Sequence, residues 1–230
     1  MPTLTPTKAT GGVTKLVPAI YAEPDRQITD ADLASFMAGS ELNGPFMAEM
    51  LSGMLAHERC GRHLYRSCEG RTLNPILQAK YREFGEETEQ HVEILEQLIT
   101  ESGGNPSYVG PMARAVLGTD TNLVQSTFLL EGSLDLMTAE TSMLDAVFLA
   151  ESMDHTNWKL FTRLTETMPD GDLRSRYEAA SRQVEPQEDE HLGWATQTKE
   201  RLTLLQATSE APAGTNAEEL IARVKNWLAD

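Results

Sequence analysis

The feature that most constrains this chain is a carboxylate and an imidazole three residues apart, Glu188 and His191, on the apolar side of a long helical pattern. Positions three apart share a helix face, so both side chains can reach one metal ion. Leu173, Tyr177, Ala180 and Val184 lead into the pair on the same side, and Trp194 follows. In that register Glu188 and His191 point inward, where an unpaired carboxylate costs several kcal/mol. A bound metal is the most economical reason to place an acid and an imidazole there.

The 230 residues suffice for one well-buried domain with appendages. Hydrophobic residues at 40% and charged residues at 23% are ordinary for a globular protein. A net charge of −16 argues against a nucleic-acid surface and against docking on anionic membrane. Two cysteines, Cys60 and Cys68, make no disulfide framework and fit a reducing compartment. They lie eight apart on one predicted helix, too far for a bond within it. No apolar run reaches membrane-spanning length and the N-terminus lacks a signal peptide's apolar core, so the expectation is a cytoplasmic protein.

Residues 1–40 read as a tail rich in Thr, Pro, Gly and Ala, with a short helix capped by Thr29 or Asp30 that runs through Phe36 and Met37 to Gly39. Residues 41–206 form the body. Its first helix spans about Pro45 to Cys68, where Met47, Leu51 and Met54 set a stripe that places Glu58 on the apolar side. Its second starts at Pro75 and ends at Gly103-Gly104, with Leu77, Tyr81 and Phe84 followed on the stripe by Glu87 and His91, then Leu95 and Leu98. These two are four apart, and Thr88 stands where a three-residue spacing would need its acid.

Residues 103–121, with a short Met112–Leu117 segment, read as a crossover, and 122–168 as a long helical region that Gly132 divides or kinks. The later stripe of that region carries Met137, Leu144, Phe148, Glu151, His155 and Trp158, with Glu140 near it as a solvated or supporting residue. Met168-Pro169-Asp170-Gly171-Asp172 is a turn, and the last body helix runs to about Gln206. Residues 207–230 hold a linker and an amphipathic helix capped by Asn216, with Leu220, Ile221, Val224, Trp227 and Leu228 on one side. His57 and His63 flank Cys60, but their spacing does not converge on one face.

In an antiparallel hairpin, residues equidistant from the turn lie level. Glu58 and Glu87 average to position 72.5, inside the 69–74 loop, and Glu151 and Glu188 to 169.5, inside the 168–172 turn. Solvated glutamates have no reason to pair in this way. Two such hairpins with carboxylates and histidines projecting inward are the pattern of the dimetal-carboxylate bundle.

On Glu58, Glu87 with His91, Glu151, and Glu188 with His191, over roughly residues 45–205, the chain resembles the ferritin-like superfamily. The stretch Glu86-Glu87-Thr88-Glu89-Gln90-His91-Val92 also looks like the second helix of small bacterial members. The resemblance implies an all-α fold, a ferritin-like antiparallel four-helix bundle of two hairpins with a crossover, holding two Fe ions or, alternatively, Mn. Glu58 and His91 would bind one ion and Glu151 and His191 the other, with Glu87 and Glu188 bridging. His155 is a further inward candidate, more readily a supporting histidine than a ligand. The departure is the four-residue spacing of Glu87 and His91.

The activity this implies is a di-iron or di-manganese oxidoreductase that reacts with O2 or H2O2, by iron oxidation or peroxide detoxification. No paired Cys-x-x-Cys motifs occur, so electrons come from an external donor. Two alternatives stand beside it: an oxygenase or oxidase of a small organic substrate, and a non-catalytic stress or packaging protein that docks through its C-terminal helix. A homo-oligomer is expected, since exposed bundle faces often pair.

Overall fold

The protein is described here by a computed structural model that covers residues 7–8, 14–15, 35–129, 136–208 and 222, excepting the side chains of 7, 8, 14, 15, 136 and 137. The body is all-helical: α1 (Gly44–Arg71), α2 (Pro75–Glu101), α3 (Pro111–Ser126), α4 (Leu136–Glu166) and α5 (Asp172–Thr208). Ahead of it lies a two-residue antiparallel ribbon, β1 (Thr7–Lys8) on β2 (Thr14–Lys15), with Thr7 opposite Lys15. The expected cap at Thr29 or Asp30, the break at Gly132 and the C-terminal linker and helix lie outside the described residues. Among the described residues no helix is long and apolar enough to cross a membrane.

Local chemistry sets the helix boundaries. Asn43 accepts a hydrogen bond from the Phe46 N–H, and Asn74 accepts from Ile76 and Leu77, each with proline in the first turn. Between these helices the chain turns at 72–74, and ion pairs Arg62–Glu89 and Arg59–Glu96 hold α1 and α2 antiparallel. Helices α4 and α5 pair likewise, with Lys199 on Asp145 and Thr162 donating to Glu185.

The apolar core is split. One cluster gathers Leu51, Leu55, Leu95, Trp158, Phe161 and Tyr177, the other Leu64, Tyr65, Leu77, Tyr81, Phe84, Leu144 and Leu202. On each of α1, α2, α4 and α5 the two clusters are separated by about two to three turns, and in that gap lie Glu58, His91, Glu151, Glu188 and His191. The sequence therefore builds a polar belt between two apolar plugs.

The stretch 103–121, read from the sequence as a crossover with a short Met112–Leu117 segment, carries a longer helix than expected. From Pro111 to Ser126 the chain forms α3, although Gly118, Thr119, Asp120, Thr121 and Asn122 are weak helix formers. Contacts with α1 supply what propensity does not. The Glu49 carboxylate accepts the Met112 N–H at the start of α3 and the Tyr108 hydroxyl, and a Cβ at Gly110 would collide with that carboxylate. Farther along, Asp120 meets His57 and Thr127 meets Ser67. Glu140 is likewise buried rather than solvated: it accepts from the Thr72 hydroxyl at 2.5 Å and the Leu73 N–H at 3.3 Å, tying α4 to the α1–α2 turn.

Candidate metal centre

Five of the seven residues expected at the site come together in the belt. One ligand atom from each of Glu58, His91 and Glu188 lies within 4.8 Å of the others, and the same holds for Glu151, Glu188 and His191. Glu188 belongs to both groups. All five are buried, and each group could hold a metal ion.

The two halves repeat one geometry. Trp158 donates its indole N–H to Glu58 Oε1 at 2.7 Å, and Tyr65 donates its hydroxyl to Glu151 Oε1 at 2.7 Å. The other oxygen of each carboxylate, Oε2, has no hydrogen-bond partner, and neither oxygen of Glu188 has one. Both imidazoles turn Nδ1 toward these oxygens. His91 Nδ1 is 3.0 Å from Glu188 Oε1 and 3.6 Å from Glu58 Oε2, while His191 Nδ1 is 3.4 Å from Glu151 Oε2 and 3.6 Å from Glu188 Oε1. Outward, His191 Nε2 meets Glu87 Oε2 at 2.8 Å and His91 Nε2 meets Gln187 Oε1 at 3.1 Å. Aromatic rings wall the belt: Phe84 packs on His191 with centroids 4.1 Å apart, and Trp158 stands edge-on to His91.

Buried polar atoms left without partners cost about 1–3 kcal/mol each, more when charged. Four unpartnered carboxylate oxygens in one belt fit a cation better than a hydrogen-bonded core. The donor set of carboxylates with one imidazole per position suits a divalent transition metal, and the residues present fit it.

Without a metal, protons balance the charges. Burial opposes a charged His191, but the nearby Glu151 carboxylate, the hydrogen bond to Glu87 and the charge of Glu188 outweigh this and raise it to about 10. His91 rises well above the usual imidazole range for the same reason, burial being overcome by Glu58 and Glu188. Burial likewise opposes ionisation of Glu58, but the adjacent His91 charge holds it low. Burial pushes Glu188 up to about 7, with the Glu151 and Glu58 charges adding to it against the close approach of His91.

Two expected residues lie elsewhere. Glu87 is not between the two Glu/His groups but behind His191, a quarter exposed, where its carboxylate orients the imidazole. The four-residue step from His91 carries it off the inward direction, and the inward position is held by Thr88, whose hydroxyl turns back to the Phe84 carbonyl. His155 lies at the α4–α5 seam on Asp189, at 2.7 Å, one four-residue step beyond Glu151.

Three buried groups were not anticipated in these roles. Asp154, three residues after Glu151, is buried with Oδ1 unpartnered, and burial plus the charges of Glu188, Glu58 and Glu151 keep it protonated well above the usual carboxylate range. The Glu-x-x-Asp spacing is its signal in the sequence. Asp120 accepts from His57 Nδ1 at 2.7 Å while His57 Nε2 donates to the Ala150 carbonyl at 3.0 Å. Both ring nitrogens face acceptors, so His57 is a buried cation next to Glu58 and not a partner of Cys60. His63 is exposed.

No protein-family model, curated protein or solved structure matches this chain.

Proposed function

We propose that this chain is a dimetal-carboxylate oxidoreductase, ferritin-like in plan, with α1–α2 and α4–α5 as its hairpins and α3 as the crossover. The reading rests on one observation: two buried Glu/His groups share Glu188, and their inward oxygens are unpartnered. Glu58 and His91 would hold one ion, Glu151 and His191 the other, and Glu188 would serve both. Iron fits this donor set, with manganese as the alternative. When bound, such a pair supplies reversible one-electron redox chemistry toward O2 or H2O2.

The residues perform the rest. Tyr65 and Trp158 fix Glu151 and Glu58 by their Oε1 atoms, which leaves each Oε2 directed inward. Glu87 and Gln187 hold the outer nitrogens of the imidazoles, so Nδ1 is the donor on each. Asp154, three residues after Glu151, adds a buried acid with Oδ1 unpartnered beside the proposed ligands. The packed aromatic walls favour a diatomic or peroxide-sized oxidant over an organic substrate, and electrons come from an external donor.

The test is rapid mixing of anaerobically Fe²⁺-loaded protein with O2 or H2O2, following oxidant consumption. Loss of oxidant well above that of free Fe²⁺, absent in Glu188→Ala, supports the proposal. Two bound ions that leave both oxidants untouched overturn the redox part of it.

A further inference from the structure

The two metal positions differ in what stands behind their histidines. His191 Nε2 faces the Glu87 carboxylate at 2.8 Å, whereas His91 Nε2 faces the neutral Gln187 amide at 3.1 Å. The two ligand sets are alike, each with a buried terminal glutamate tied by one aromatic donor, one Nδ1 directed inward and a share of Glu188, and the His57 cation beside Glu58 further disfavours a metal ion on that side. The outer partner is therefore the main asymmetry that the histidines carry.

An imidazole that donates its far N–H to a carboxylate is a stronger metal donor than one that donates to an amide, because the anion pushes electron density toward the ligating nitrogen. The same carboxylate adds a negative charge close to the ion without binding it. Glu87 is a quarter exposed and Gln187 partly so, hence both sit at the solvent rim of the α2–α5 seam, and neither fills the core. Resting on the dimetal reading, we infer that the site loads unequally: the Glu151–Glu188–His191 position binds first and more tightly, and Glu87 against Gln187 sets that order.

The order is read by titrating the metal-free full chain with Mn²⁺ and measuring free Mn²⁺ by electron paramagnetic resonance. Glu87→Gln and Gln187→Glu are nearly isosteric exchanges at the rim that leave the buried ligands in place. Wild type is expected to bind two ions in steps separated by about tenfold or more. Glu87→Gln should weaken the tight step by about 10–100-fold and leave the weak step within a few-fold. Because Gln187 also hydrogen-bonds to Glu87, Gln187→Glu is combined with Glu87→Gln, and this exchange of the two outer partners should make the His91 position the tighter one. Two equal steps in wild type, a Glu87→Gln effect confined to the weak step, or no response in either variant overturns the inference while the dimetal reading stands. A folded wild type that binds no Mn²⁺ overturns both.

Discussion

Glu188 Oε1 and His91 Nδ1 face each other across α5 and α2 at 3.0 Å, yet they are not aligned for a hydrogen bond, and both atoms are buried without a partner. Two strong polar atoms this close and not hydrogen-bonded to each other belong to a group that could hold a cation. The same Glu188 lies 3.6 Å from His191 Nδ1, so it is the pivot of both halves.

That pivot sets the first expectation. Glu188→Gln should abolish binding of both ions, whereas Glu58→Gln or Glu151→Gln should each leave about one. Metal analysis of the three purified variants after identical loading checks this. Equal losses in all three contradict the shared role.

The pH dependence of the metal-free protein follows from His191. Its folded value is raised to about 10 from 6.5, so the stability it contributes is complete below about pH 6.5 and disappears as pH rises toward 10. Metal uptake must displace that proton, so affinity moves the opposite way. Thermal melting of the metal-free chain should fall by roughly 4–8 °C across this window, on the order of 2 kcal/mol, while the upward shift caused by added Mn²⁺ grows. A flat metal-free profile counts against the ion-paired core.

Tyr65→Phe removes the hydroxyl that donates to Glu151 Oε1 and leaves that oxygen buried without a partner. Hydrogen bonds to charged groups contribute about 1.5–3 kcal/mol, and a loss of that size is expected in urea unfolding of the metal-free protein. Mn²⁺ affinity should fall mainly at the His191 position. No loss of either kind refutes the assigned donor.

The His57–Asp120 pair is the buried fastening between α1 and α3. Breaking it by Asp120→Ala should destabilise the fold by about 3–5 kcal/mol, because the His57 cation stays buried without its anion. Replacing both by apolar residues of similar size should recover most of the loss. Urea unfolding separates the cases, and a neutral Asp120→Ala assigns the pair no structural weight.

The sequence was most legible where periodicity and burial agree. Glu58, Glu151, Glu188 and His191 each interrupt an apolar stripe, and the stripe itself tells which way they face. Glu87 misled because a four-residue step still looks adjacent on a helix. Only the competition of Thr88 for the inward position, settled by packing, turns Glu87 outward to His191. Asp154 has only the Glu-x-x-Asp spacing to mark it, and nothing local in the sequence distinguishes a buried acid at that spacing from a solvated one. Helix α3 was underread for a different reason: its stability comes from Glu49 and His57, long-range contacts that no local propensity records.

The most direct test of the central claim is metal content per chain after anaerobic loading with Fe²⁺ or Mn²⁺ and removal of free ions, for wild type and for the Glu188→Ala, His191→Ala double variant. Wild type is expected to hold about two ions and the variant none, with both proteins folded by circular dichroism. A folded wild type that retains neither metal, or a variant that retains as much as wild type, contradicts it.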